Sequence, residues 1–362
     1  MNRKWWLVLA ASMVLALTAA ACGSSDDSSG GSGASGTIAG AGSSAQEAAQ
    51  EAWKANFESA NSGATVSYDP IGSGGGRDQF IAGGATAFAG SDSPFDTDEL
   101  PKATQRCQSG GGELVQIPNY ISPIAIIYNL SGVDSLQLSP DVTAKIFRGE
   151  ITKWNDPAIA ADNPGASLPD TDITPVHRSD ESGTTANFTD YLHVAAGNVW
   201  TDDPDSSWPL NSGESGAQTS GMVQAVKAGD GTIGYADESQ AQGLGIAKVK
   251  VANTYVAPSA NGAAADFEQS QPDPSLSQGD TVLAYTVERT PTDPSHYPVL
   301  LVSYLMGCTK YSDTSTTDLV KAYFNYIISA DVQQAASENA GSAPLPPAIT
   351  KKDQTAVDKI GA

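Results

Sequence analysis

The sequence predicts an α/β protein that is large enough for two lobes. Short apolar strands alternate with predicted helices along the chain, which is the pattern typical of α/β folds. The 362 residues suffice for two lobes of ordinary domain size. No internal repeat with the period of a solenoid is present, so a stacked repeat protein is not expected.

Residues 1–22 are expected to be an export signal that is not part of the fold. Residues 2–4 form a basic start, and the apolar run at 5–21 is short for a membrane span. Small residues before Cys22 resemble a bacterial lipobox, which would make Cys22 the lipidated N-terminus at the outer face of the cell membrane. Ala19 stands where that pattern usually has leucine, so a plain secretory signal cut nearby is the alternative. In both cases the mature protein is exported.

The composition after the signal predicts a tether and excludes two classes of partner. Residues 23–36 are almost all Ser, Gly and Asp, which predicts a flexible segment that holds the folded part off a membrane. The formal net charge of -22 argues against broad contact with nucleic acid or an anionic membrane surface. A small anion is still allowed, because charges beyond roughly 8 Å are screened at physiological salt.

The cysteines predict one disulfide, and the histidines do not predict a metal site. If Cys22 carries lipid, Cys107 and Cys308 remain as an even pair in an oxidising compartment, so a disulfide between them is expected. The three histidines show no metal-ligand spacing, and neither a metal nor a cofactor is predicted. They are His177, His193 and His296.

In the first third of the chain, strands lead into glycine-rich turns and helices. Gly40 and Gly42 should break the first strand, and Ser44 and Glu47 have the spacing of a capping box. A proline should divide the apolar run at 114–128 into two strands and mark a crossing between lobes. Strands are expected at 38–39, 65–68, 87–93, 114–118 and 121–128, and helices at 44–60 and 75–82.

The rest of the chain continues the same alternation. Pro140 suits the first position of a helix that ends near Phe147. Trp154, in a long decorated loop, is expected to be a packing anchor, and residues 257–280 are a polar, Pro-rich excursion. Further strands are expected at 173–176, 231–235 and 299–304, and further helices near 158, from 184, at 221–227 and at 317–329.

Three turns that carry Ser or Thr lead into predicted helices, at Ser44, at Ser73 and at 182–184. A helix start exposes unpaired N–H groups and a partial positive charge, so several starts aimed at one point would bind an anion. Arg178 adds a guanidinium fork suited to an oxyanion. Glycines 74–76 disfavour a helix, so their use must be close backbone approach or unusual dihedrals. Taken singly, each turn is an ordinary helix cap.

Asp92 ends a predicted strand and would set which anion is accepted. A carboxylate can only accept hydrogen bonds. It would repel an oxyanion without protons, such as sulfate, and would accept from the hydroxyl of HPO₄²⁻ or H₂PO₄⁻. One aspartate therefore favours phosphate over sulfate, because it leaves the wrong ligand with an unpaired, repelling contact.

At these residues the sequence resembles the PstS-like phosphate-binding proteins of bacterial phosphate ABC importers. The matching segments occur in the family's order and extend from residue 37 to about residue 347. The ligand turns that match are 40–44, 72–76, 90–92 and 178–184, and further matches are 146–159, 163–165, 231–235 and 343–346.

The resemblance implies a role for each matching residue of the first turns. Ser44 stands where the family has a threonine that binds phosphate through its hydroxyl and N–H. Ala45 stands where a phenylalanine donates its backbone N–H, so only that role transfers. Ser73 matches a hydroxyl and N–H donor, and Asp92 matches the acceptor of the phosphate proton. Ser43 and Ala45 depart from the family's common pattern.

The later turn matches the second half of the family's site. Arg178 matches the phosphate arginine, and Asp180 resembles an acid that orients it. Ser182, Gly183 and Thr184 match the final cluster of donors.

The resemblance also implies a periplasmic-binding-protein fold of two α/β lobes with a cleft and two crossover strands. Lobe 1 would be residues 37–120 plus 296–362, and lobe 2 would be 121–295. Cys107 and Cys308 then fall in one lobe, which supports the disulfide. The implied function of this monomer is high-affinity capture of inorganic phosphate and delivery to the membrane permease of an ABC importer.

Three other functions compete with phosphate transport. His177, Asp180 and Ser182 supply the residue types of a hydrolase triad, but neighbours on one turn rarely achieve triad geometry. A metal-dependent phosphatase lacks ligands. A signalling or adhesin lipoprotein on the same fold is the third possibility, and the sequence does not separate it from transport.

Overall fold

The computed structural model describes residues 33–362 of the chain. The predictions for Cys22, for the signal and for most of the tether lie outside these residues. Within them, none of the helices is both long and apolar enough to cross a membrane.

The described chain alternates strands and helices, and the predicted α/β class is confirmed. The strands are β1 Ser35–Gly42, β2 Gly63–Asp69, β3 Thr86–Ser91, β4 Leu114–Asn129, β5 Gln137–Leu138, β6 Thr174–Arg178, β7 Glu214–Gly216, β8 Thr232–Asp237, β9 Gly245–Val251, β10 Thr254–Val256, β11 Gln271–Pro272, β12 Tyr285–Thr286 and β13 Leu300–Cys308. The helices are α1 Glu47–Ala60, α2 Ser73–Ala82, α3 Leu100–Ser109, α4 Pro140–Phe147, α5 Pro157–Asp162, α6 Gly183–Ala195, α7 Gln218–Ala228, α8 Ala260–Phe267, α9 Thr314–Ile328, α10 Ala330–Ala340 and α11 Pro347–Asp358, with a short 3₁₀ helix at Glu238–Gln240.

One long strand, β4, is shared by the two halves of the main sheet. The strand order is β2-β1-β3-β13-β4-β8-β6-β7, and β9 also pairs with β4. Residues 114–123 of β4 pair with β13, whereas residues 124–129 pair with β8. Parallel strands β1, β2 and β3 therefore lie on one side of the crossing, and β6, β7 and β8 lie on the other.

The predicted proline break in β4 was wrong. Pro118 and Pro123 both lie inside a single strand, and every residue of β4 except Asn129 is buried. The register shifts at Asn119, because Ser303 pairs with Tyr120 while the next residue of β13 pairs with Pro118. Proline has no N–H to donate to the neighbouring strand. Because a bulge lies beside Pro118, the ladder does not need that N–H, and the strand continues.

The predicted end of the tether and end of the first strand also need correction. Ser35 and Gly36 belong to β1, where they pair with Gly63 and Ala64 of β2. The glycines do not break β1, which continues to Gly42 between β2 and β3. A Cβ at Gly40 would lie 2.2 Å from the Phe88 ring, so this glycine makes room for core packing.

The helices that were predicted differ from the structure mainly at their starts, and four helices, α3, α8, α10 and α11, were not predicted. The α1 face with Trp53 and Phe57 is buried as expected, but the predicted capping box is wrong. Gln46 precedes the helix without a side-chain cap, and the Ser44 hydroxyl instead contacts Thr219. The polar excursion contains α8, which lacked a long apolar face to reveal it. Trp154 is buried and donates its Nε1–H to the Gly231 carbonyl, as expected for a packing anchor.

The predicted disulfide is present. Cys107 of α3 is bonded to Cys308 at the end of β13, and their Cα atoms are 5.3 Å apart. The bond ties α3 to a strand that pairs with both β3 and β4.

Candidate ligand-binding site

The structure brings together the polar turns that the sequence predicted from both halves of the chain. Ser44, Ser73, Asp92 and Thr184 are all buried. The Asp92 N–H donates to Ser73 Oγ at 3.1 Å, and the Thr184 hydroxyl donates to Asp92 Oδ2 at 3.2 Å. A Cβ at Gly183 would lie 2.7 Å from Asp92 Cβ, so the start of α6 lies directly against the end of β3.

Asp92 is the centre of this cluster. The carboxylate is only 2% exposed and accepts hydrogen bonds from the hydroxyls of Ser303 (2.5 Å), Ser43 (2.6 Å) and Thr184. Burial raises the pKa of Asp92, and the three hydroxyls together with the charge of Arg178 limit the rise. An acceptor-only group thus lies among groups that can rotate to donate or accept.

Arg178 is held in place by Asp180, as the sequence predicted. Its Nε and Nη2 donate to the two carboxylate oxygens of Asp180 at 2.8 and 2.5 Å, and the guanidinium is 3% exposed. Partial burial alone would raise the pKa of Asp180, but the bonds and charge of Arg178 and the Gln218 N–H outweigh it and lower the pKa. Among residues 33–362 no hydrogen bond is found for Nη1, which leaves this donor for a ligand.

Helix starts supply further donors at the cluster. Ser182 caps α6 by accepting from the Thr185 N–H, and α2 begins at Ser73. The start of α7, which the sequence analysis did not assign to the site, also reaches it, because the Thr219 N–H donates to Ser44 Oγ at 3.0 Å. The positive ends of these helices favour a negative ligand.

Gly72 and Gly74 serve close approach, which is one of the two uses expected for the glycines at 74–76. Gly72 has φ 97°, and a Cβ there would lie 2.6 Å from Asp180 Oδ2. The Gly74 N–H donates to the Glu181 carbonyl at 3.2 Å, and a Cβ on Gly74 would lie 2.4 Å from Glu181 Cβ. Larger residues at these positions would therefore hold the turn at 72–76 away from the turn that carries Arg178.

Five polar residues at the cluster were missed or given no ligand role by the sequence analysis. The Ser43 hydroxyl accepts from the Ala45 N–H as well as donating to Asp92. Only Ser303 had a signal in the sequence. Its hydroxyl lies inside the apolar strand β13, and a buried polar group in a core strand needs a partner. The five residues are Ser43, Asn187, Thr219, Gln240 and Ser303.

The hydrolase alternative finds no support in this geometry. The His177 ring stacks on Trp208 with centroids 5.2 Å apart, and its Nδ1 lies 2.9 Å from the Arg178 carbonyl. Ser182 Oγ accepts from the backbone at the start of α6. A triad requires a hydrogen bond between the histidine and the serine, and within residues 33–362 none joins His177 to Ser182.

Two α/β halves that share β4, with a buried polar cluster where they meet, define a two-lobe substrate-binding protein. A family model described as a PBP superfamily domain matches residues 27–331. The chain is 35% identical over 333 residues to phosphate-binding protein PstS 3 of Mycobacterium leprae, covering 91% of this chain and 88% of that protein. It is 32% identical over 326 residues to phosphate-binding protein PstS of Pasteurella multocida, covering 88% and 89%. The chain belongs to the PstS family of phosphate-binding proteins.

Solved structures agree with this fold. A high-affinity periplasmic phosphate-binding protein (PfluDING), bound with phosphate, aligns with a TM-score of 0.71 at 23% identity, covering 88% of this chain and 93% of that one. A phosphate-binding protein from Stenotrophomonas maltophilia aligns with a TM-score of 0.65 at 19% identity, covering 89% and 94%. At these identities the comparison supports the two-lobe fold alone.

Proposed function

We propose that this protein captures inorganic phosphate outside the cell membrane and delivers it to the permease of an ABC importer. The relatives that match nearly the whole chain carry the name phosphate-binding protein. The observation that carries the proposal is the placement of Asp92, a buried acceptor among three hydroxyls at the junction of two glycine-rich helix starts.

Phosphate fits this arrangement because it carries both a proton to donate and negatively charged oxygens that accept hydrogen bonds. The P–OH group of HPO₄²⁻ or H₂PO₄⁻ donates to Asp92, while the remaining oxygens accept from Arg178 and from the turns. Sulfate lacks the proton and meets the carboxylate with a lone pair. The proposed ligand contacts are Ser44, Ala45, Ser73, Asp92, Arg178, Ser182, Gly183 and Thr184, with Asp180 in support.

We assign residues 37–120 and 296–362 to lobe 1 and residues 121–295 to lobe 2. The division places Ser73 and Asp92 in one lobe and Arg178 with the start of α6 in the other. Contacts such as Thr184 to Asp92 then join the lobes, so closure completes the site. Opening of the same contacts releases phosphate, with no chemistry on the ligand.

The remaining parts of the proposal concern location and assembly. The mature chain is an exported monomer that is held at the outer face of the cell membrane by lipid on Cys22. It is a binding protein and not an enzyme. Mass spectrometry of the membrane-extracted protein tests the anchor, and an unmodified N-terminus away from Cys22 contradicts it.

Isothermal titration of refolded, phosphate-stripped protein tests the function. Phosphate is expected to bind at one site per chain, and sulfate at the same concentration is expected to give little or no heat. A flat phosphate titration on folded protein contradicts the proposal. Hydrolysis of a generic phosphate ester that disappears in Ser182→Ala favours the enzyme instead.

A further inference from the structure

Asn187 joins the start of α6 to the backbone of Asp92. Its side chain is 8% exposed and lies one helical turn after Gly183. The Nδ2 group donates to the Asp92 carbonyl at 2.6 Å and to the Gly183 carbonyl at 2.8 Å. Asp92 and Gly183 are proposed phosphate contacts on opposite lobes, so this one amide bridges both sides of the proposed cleft.

Arg289 fixes the direction in which that amide points. Its Nη2 donates to Asn187 Oδ1 at 2.8 Å, and its Nε donates to Asp190 at 2.8 Å. A guanidinium has donors only, so the oxygen of Asn187 must face it and the NH₂ group must face Asp92. The orientation of the bridge therefore depends on a residue that is 102 positions away in the sequence.

The same arginine is tied to the crossover strand β13. Its Nη1 donates to the carbonyls of Pro298 (3.0 Å) and Leu300 (2.8 Å), and the side chain is 2% exposed. Three residues further along β13, Ser303 donates to the carboxylate of Asp92. Arg289 thus connects the Asn187 amide to β13. The amide contacts the backbone of Asp92, and Ser303 of β13 contacts its carboxylate.

We propose that Asn187 and Arg289 form a latch that holds the lobes closed and slows ligand release. They are positioning residues, because neither is among the proposed phosphate contacts. The latch rests on the proposed function, since it acts on the closed state that retains phosphate. It forms after the lobes meet, so it governs the dissociation rate and leaves the association rate unchanged.

Asn187→Asp tests the latch with minimal change in volume. The acid retains an oxygen for Arg289, whose charge favours the ionised form, but it places a second acceptor against the carbonyls of Asp92 and Gly183. Phosphate release is expected to accelerate by about tenfold or more. This factor corresponds to the free energy lost when a buried hydrogen bond is broken and its partner is left unpaired. Association should stay within about twofold of wild type.

Asn163→Asp is the matched control. Asn163 is 7% exposed, and its Nδ2 donates to the carbonyl four residues earlier, at Ile159, and to the Gln137 carbonyl. Its Oδ1 accepts from the Gln137 N–H. The same chemical change is thus made entirely inside lobe 2, so it should lower the melting temperature without changing phosphate release.

Release is measured by chasing bound radiolabelled phosphate with excess unlabelled phosphate, and the melting temperature is measured on the same samples. Arg289→Lys keeps the charge but loses the fork, and faster release at unchanged association is expected here too. Wild-type release in both Asn187→Asp and Arg289→Lys overturns the latch, as does equal acceleration in Asn163→Asp. A wild-type chain that binds no phosphate overturns the proposed function itself.

Discussion

Asp237, at the end of β8, is a fully buried carboxyl beside β4, and its ionisation should make stability depend on pH. Its Oδ2 accepts from the Tyr120 hydroxyl at 3.1 Å, and its Oδ1 accepts from the N–H (3.0 Å) and hydroxyl (2.5 Å) of Ser239. Burial raises the pKa of Asp237 to about 7, and the hydrogen bonds from Ser239 and Tyr120 limit the rise.

The direction of the effect follows from the two pKa values. Between the ordinary aspartate pKa of 3.8 and the folded-state pKa of about 7, the folded chain keeps a proton that the unfolded chain has released. The stabilising contribution is therefore complete below the unfolded pKa and is lost as pH rises through the folded pKa. The difference of about 3 between the two pKa values corresponds to about 4 kcal/mol of unfolding free energy, of which about 3 kcal/mol is lost between about pH 5 and pH 8.

Asp237→Asn removes the titration while keeping the contacts. The amide oxygen can still accept from Ser239, and the NH₂ group can donate to the Tyr120 oxygen. Relative to wild type, the variant should gain about 3 kcal/mol in free energy of unfolding between about pH 5 and pH 8. Urea denaturation in phosphate-free buffer measures this, since bound ligand would add its own stabilisation.

Asp313→Asn provides a control with the opposite perturbation. Asp313 caps α9, and hydrogen bonds from Ser315 hold the pKa of Asp313 below its usual value. Its titration is complete below about pH 5, so the difference between this variant and wild type should be constant from about pH 5 to pH 8. Parallel loss of stability in wild type and Asp237→Asn over that range refutes the assignment of a raised pKa to Asp237.

Three further changes test the site and the frame around it. Asp92→Asn should weaken phosphate binding by about ten- to a hundredfold, because a hydrogen bond to a charged group is lost. The ratio of phosphate affinity to sulfate affinity should also fall in calorimetric titration. An unchanged ratio contradicts the selective role of Asp92. Gly183→Ala should weaken phosphate binding at least about tenfold with little loss of melting temperature, because its Cβ would lie 2.8 Å from Ser73 Oγ and hold the turns apart. Replacing Cys107 and Cys308 by serine should cost about 2–5 kcal/mol of unfolding free energy, with phosphate affinity retained; lost affinity in the folded variant would show that the disulfide also shapes the site.

The parts of the candidate site that the sequence predicted are those with a local signal. Ser73 and the turn at 182–184 each combine a strand end, glycines and a hydroxyl before a helix within a few residues. Arg178 and Asp180 are two positions apart, so their pairing needs no knowledge of the fold. Composition and alternation were likewise enough for the α/β class.

The parts that were missed depend on contacts between distant segments. Ser303 is 211 positions from Asp92, and Thr219 is 175 positions from Ser44. No neighbour of Thr219 in the sequence indicates its role, and the apolar residues around Ser303 indicate only that its hydroxyl needs a partner. Local rules failed in β4 for the same reason, because the bulge that accommodates Pro118 depends on the register of β13.

An acidic chain can hold an anion here because the site's charges are matched locally. Arg178 is paired with Asp180 in a bidentate contact, so much of its charge is already balanced. Asp92 adds a further negative group, which three hydroxyls and the charge of Arg178 help to keep ionised. The charge of a bound oxyanion must therefore be met largely by N–H groups and dipoles at the starts of α2 and α6. Such donors act over a few ångström, which is why the net charge of the chain does not exclude an anionic ligand.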